Sequence, residues 1–210
     1  FEGNKFYDTT AHGIHAYCGG CATTNSNMII RRNTFTNWGT TNSEGAAMLI
    51  GGSGHKIYNN VMYVVGASGQ YGIRVQYDGP NGFVIYNNTI YSITSGAGLG
   101  IYLGNDGSGH TVKNNLIIKA TVPIQDLSSG STLSNNITSV SDTSAAHFVN
   151  AAGEDFSLLS TSTAINAGTA TITASINQVF NGNAPDIGAH QKLGAVTCTI
   201  ANATPTLIDC

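Results

Sequence analysis

Few residues in this 210-residue chain can do acid–base or metal chemistry: eleven Asp and Glu, eight Lys and Arg, six His and four Cys. Asp78 and Asp106 each open an Asp-Gly pair beyond a short alternating segment, and Arg74 precedes Asp78 by four residues. Two carboxylates about 5 Å apart can share a proton or hold calcium. An arginine beside them suits removal of a proton next to a uronate carboxylate, because its charge offsets the charge that develops. Asp-Gly is equally ordinary turn chemistry. The Cys18-Gly-Gly-Cys21 spacing fits a zinc or redox site. Cys198 and Cys210 have eleven residues between them, a poor zinc spacing, so Cys18–Cys21 and Cys198–Cys210 also read as two local disulfides in an oxidising compartment. Tyr58, Tyr63, Tyr86, Tyr91 and Tyr102 are candidates for stacking on sugar rings or for packing against a partner.

What positions these residues is a repeat. Asparagines close similar hexapeptides at 33, 60, 88, 115 and 136, with Asn4 upstream, and most spacings are 27 or 28 residues. Short alternating segments follow, such as Val61-Met62-Tyr63 and Leu116-Ile117-Ile118. A second column runs through Gly13-Ile14-His15, Gly45-Ala46-Ala47, Gly72-Ile73-Arg74, Gly100-Ile101-Tyr102 and Pro123-Ile124-Gln125. Three strands of three to five residues cannot bury a face alone, but stacked rungs about 4.8 Å apart can. Identical residues then form ladders, the asparagines above all.

Stacking assigns neighbours. Met28, His55, Phe83 and His110 share one column, so His55 and His110 lie roughly 9.6 Å apart with Phe83 between them, too far for one metal ion. Asp78 falls one rung from Asp106, beside an outward column of His15, Ala47, Arg74, Tyr102 and Gln125. Strand parity turns Tyr58, Tyr63, Tyr86 and Tyr91 outward, as a cross-rung ladder or a binding surface.

The period, the asparagine ladder and the Gly-Ile strands over residues 1 to about 140 resemble the right-handed parallel β-helix of pectate lyases and other extracellular polysaccharide-active proteins. The segments Asp155-Phe156-Ser157-Leu158, Ser162 to Gly168 and Asp186 to Gln191 resemble the endings of secreted bacterial β-helix and choice-of-anchor proteins. The resemblance implies an all-β solenoid, export, and a place outside the cell or on its surface. Other signatures of those lyases (Asp-Asp, Gly-His-Gly, Arg-Ile-Lys) do not occur here.

Composition sorts the functions. Charged residues make up 9% of the chain and the net charge is −3, against roughly 25% charged in an average domain. That excludes phosphate neutralisation and hence nucleic-acid binding, and no apolar run reaches the ~18 residues of a membrane helix. The expected organisation is β-helix rungs over 1–140, irregular final rungs with a closure over 141–191, and a terminal strand or tail over 192–210. Aligning Asn4 with Asn33 places Phe1 inside a strand, so further rungs or another subunit are expected before it. The expected role is structural, adhesive or glycan-binding, with a polysaccharide or further copies of the chain as partner. Calcium at Asp78/Asp106 is the one cofactor considered. The alternative is a polysaccharide lyase or glycoside hydrolase acting on an acidic polysaccharide through Asp78, Asp106 and Arg74.

Overall fold

A computed structural model describes residues 1–17, 19, 25–41, 44–65, 70–92, 98–169 and 184–192. Its strands stack in three parallel sheets. The first holds β1 (Lys5–Thr9), β4 (Thr34–Trp38), β7 (Val61–Tyr63), β10 (Thr89–Tyr91), β13 (Leu116–Ile118) and β16 (Ile137–Ser139). The second holds β2 (Ile14–Ala16), β5 (Ala46–Ile50), β8 (Tyr71–Val75), β11 (Leu99–Leu103) and β14 (Val122–Asp126). The third holds β3 (Ile29–Arg31), β6 (Lys56–Tyr58), β9 (Val84–Tyr86), β12 (Thr111–Lys113) and β15 (Thr132–Ser134). The expected parallel solenoid is therefore the observed fold, and among the described residues no helix is long and apolar enough to cross a membrane.

The doubled asparagines explain the corner between the third and first sheets. The first of each pair (Asn59, Asn87, Asn114, Asn135) sits at φ between 50° and 55°, a left-handed turn that Asn tolerates better than most residues. The second turns inward and is hydrogen-bonded from rung to rung. The Asn60 side-chain oxygen Oδ1 accepts from the Asn33 backbone amide and carboxamide, and Asn60 Nδ2 donates to Asn88 Oδ1. The same pattern runs from Asn4 to Asn136. Beside it Ile30, Ile57, Ile85 and Val112 form one fully buried stripe, and Phe35, Met62, Ile90 and Ile117 another.

One register differs from the expectation. The second sheet pairs Met48 with Ile73 and Leu49 with Arg74, so Leu49, not Ala47, lies next to Arg74 in the outward column. Gly45 looked like the start of the strand. It is a corner residue instead: a Cβ there would lie 2.3 Å from the Gly39 Cα, so two chain segments touch. This rung reaches the second sheet two residues later than the next one. The following turn makes up three residues, pairing Ser53 with Asn81, so the asparagine spacings of 27 and 28 conceal the slip.

The described part of 141–191 lies on the flank of the stack. An antiparallel pair, β17 (Phe148–Asn150) and β18 (Asp155–Leu158), packs Phe148, Phe156 and Leu158 over Val61, Tyr63, Leu116 and Ile118 on the outer face of the first sheet. The flank is fastened to the turn asparagines: Asn87 donates to the Asp186 and Gly188 carbonyls, the Asn114 carbonyl accepts the Gly188 amide, and the Asn114 side chain exchanges hydrogen bonds with Thr169. The buried Asp186 carboxylate accepts from the Asn166 and Lys192 amides and so ties the flank together. Cys18, Cys21, Cys198, Cys210 and residues 193–210 lie outside the described residues, as do the disulfides and the terminal strand expected there.

Candidate functional site

Of the two readings of the tyrosines, a cross-rung ladder or an exposed binding surface, Tyr58 and Tyr86 follow the ladder. They stack across rungs, with ring centroids 4.8 Å apart and planes within 9°, and both are buried. Arg31 covers one end of this ladder and donates to the Tyr58 hydroxyl. Tyr63 and Tyr91 lie under the flank against Phe156 and Phe148, and burial pushes the Tyr63 hydroxyl up to about 12. Parity was right that these four point away from the inner stripe; the outer faces of Tyr58, Tyr63 and Tyr86 are covered, and that of Tyr91 is partly covered. Of the five tyrosines, two stay half-exposed: Tyr91, at the edge of the flank, and Tyr102, on the second sheet.

On the second sheet the structure assembles a cluster around Arg74. Strand β8 presents its side chain outward between Leu49 and Tyr102, yet the residue is only 8% exposed. Tyr71, three residues earlier, lies under the guanidinium carbon at 4.5 Å, with Tyr77 at 5.7 Å and Tyr102 at 6.0 Å, distances typical of cation–π contact. Each guanidinium nitrogen is engaged: Nη1 donates to Glu44 at 2.6 Å, Nε to Gln76 at 2.9 Å and Nη2 to the Tyr77 hydroxyl at 3.3 Å. The aromatic surface continues across rungs from Tyr77 to Tyr17, His15 and His12, with successive ring centroids 4.6 to 4.9 Å apart. Desolvation lowers the His12 pKa, and its Nδ1 accepts the Ala46 amide.

Asp78 and Asp106 close the turns at the ends of these strands. Tyr77, Asp78 and Gly79 form a run at φ 73°, 59° and 57°. The Asp106 carboxylate reaches back one rung and accepts the Tyr77 amide at 2.8 Å. That bond fixes the main chain of the turn that carries Tyr77, whose hydroxyl accepts from Arg74. Among the described residues no three His, Cys, Asp or Glu side chains group closely enough to hold a metal ion. The histidines of the third-sheet column are structural: His55 and His110 flank Phe83 at 4.7 and 5.4 Å and accept the Met28 and Phe83 amides.

Arg74 and Tyr102 were legible in the sequence; Glu44, Tyr71, Gln76, Tyr77 and Tyr17 were not. Aligning Gly45 with Gly72 would set Glu44 opposite Tyr71; the structure pairs Ala46 with Tyr71 instead, so Glu44 lies before the strand and meets Arg74 through a side-chain contact that register alone does not show.

The family profile described as "Right handed beta helix region" matches residues 1–138. No curated protein matches the chain. A solved structure titled "Crystal structure of pectate lyase Pel9A" aligns at 19% identity with a TM-score of 0.43. The alignment covers 92% of this chain and 65% of that one, so the chain spans less than two thirds of that protein's length.

Proposed function

The chain belongs to the right-handed β-helix family, and from that premise we propose that it is a glycan-binding protein whose docking face is the outer surface of the second sheet around Arg74. One observation supports this above others: a buried guanidinium fixed by three side chains holds tyrosine rings in a half-exposed row across successive rungs. Rings held this way lose little entropy when a sugar stacks on them, and Gln76, Gln125 and the tyrosine hydroxyls can hydrogen-bond its hydroxyl groups. A polysaccharide, being itself a repeat, suits a surface that repeats along the stack.

The reading includes a setting outside the cell or on its surface, supported by the likeness of the Asp186–Gln191 ending to secreted solenoids. A lyase or hydrolase using Arg74, Asp78 and Asp106 has less support. Arg74 is fully engaged, and Asp106 accepts a turn amide, so both groups serve to hold shape rather than to move protons.

Affinity electrophoresis through gels containing a panel of soluble polysaccharides tests the proposal. The native chain should be retarded by at least one polymer, and Tyr102→Ala should abolish the retardation while its thermal midpoint stays within a few degrees. Undiminished retardation of Tyr102→Ala would remove the docking face from this sheet.

A further inference from the structure

Building on the glycan-binding reading, we infer that the Arg74 site selects uncharged glycan chains, and that Glu44 sets this preference. Among the described residues, Arg74 is the one lysine or arginine on the strands of the second sheet. An anionic polymer docking on this face therefore has a single cation to meet. That cation is already neutralised: Glu44 lies 2.6 Å from Nη1, and the other nitrogens are held by Gln76 and Tyr77.

A uronate carboxylate could reach the guanidinium only by displacing Glu44, exchanging one carboxylate partner for another with little net gain. The displaced carboxylate would stay close by as a like charge. Asp78 and Asp106, at the ends of the same strands, add two more negative charges. The local balance is one positive charge against three negative ones, which repels a chain bearing one charge per sugar.

A neutral sugar meets no such obstacle. Its ring can lie on the tyrosines, and the Glu44 side chain, 59% exposed, offers carboxylate oxygens to its hydroxyl groups. Glu44 thus acts twice, by occupying the arginine and by accepting from the ligand. It is a positioning and specificity residue.

The experiment compares native chain, Glu44→Gln and Glu44→Asp at pH 7.5 and low ionic strength, in gels containing neutral polymers (a β-glucan, an arabinan, a galactan) or acidic ones (polygalacturonate, alginate). The expected result is retardation of the native chain by a neutral polymer and not by the acidic ones. Glu44→Gln, which leaves the guanidinium uncompensated, should gain at least tenfold affinity for an acidic polymer, and this gain should fade in 0.2 M salt. Glu44→Asp should keep the native preference. Stronger binding of the native chain to acidic polymers would overturn the inference and leave the glycan-binding reading standing. An unchanged preference in Glu44→Gln would strip Glu44 of the role. Binding to no polymer in either set would sink the glycan-binding reading and this inference with it.

Discussion

Asn60 shows how much one side chain can carry in a stacked fold. Its carbonyl oxygen accepts from the Asn33 amide and carboxamide, while its own carboxamide donates to the Ile30 and Tyr58 carbonyls and to Asn88, with distances between 2.9 and 3.1 Å. Asn60→Ala strands several of these groups in a dry interior, where each unpaired one costs about 1–3 kcal/mol. The expected loss is on the order of 3–5 kcal/mol, read as a lowered urea midpoint at unchanged slope. Asn136 is only partly buried, at the end of the same ladder, and Asn136→Ala should cost about 1 kcal/mol. Equal losses at the two sites would contradict a cooperative internal ladder. The doubled asparagine was visible in the sequence; that its two members divide the work of turning and laddering was not, because φ is a property of the folded corner.

At the scale of the element, three histidines join strands to turns through a nitrogen lone pair that protonation would remove. Nδ1 of His12, His55 and His110 accepts the amides of Ala46, Met28 and Phe83. Each ring must be neutral to do so, with its proton on Nε2. Burial lowers all three pKa values, while the Asp126 and Asp106 carboxylates raise that of His110 and Glu44 that of His12; His15 and Arg74 lower the latter further. The folded values thus lie below the unfolded one of about 6.5. In the interval between them the unfolded chain binds more protons, so stability rises with pH. The histidine contribution is complete above about pH 6.5 and is lost as pH falls below it toward the depressed values. Thermal midpoints taken from pH 8 to pH 5 should be level at first and then decline; no decline through this interval would mean that the rings do not act as acceptors. The column itself was readable from the spacing of His55, Phe83 and His110. Its chemistry was not, since only the register shows which amide faces each ring.

For the whole molecule, the flank decides which surfaces remain open. Phe156 is buried against Tyr63, Tyr91 and Phe148, so Phe156→Ala should weaken docking of the 141–169 segment by about 3–5 kcal/mol. The solenoid has its own inner core and should keep its far-ultraviolet circular dichroism. Proteolysis within 141–169 should accelerate, and tyrosine emission should become more accessible to acrylamide. A global loss of structure in this variant would show instead that flank and stack fold as one unit. The flank also decides between the two readings of the first-sheet tyrosines: Tyr63 and Tyr91 do pair across one rung, but a later segment packs over the outer face on which parity places them.

The sequence by itself determined the rung period, the inward and outward alternation and the asparagine ladder, because these follow from local spacing repeated at a fixed interval. It also marked Arg74 and Tyr102 as neighbours on one face. Only the tertiary structure decided which outer faces stay open, that Leu49 rather than Ala47 stands beside Arg74, and that Glu44 neutralises that arginine. Those outcomes depend on turn lengths that compensate within one rung and on a segment about a hundred residues distant that folds back across the stack. Both leave the repeat unchanged, so the periodic pattern carries no trace of them.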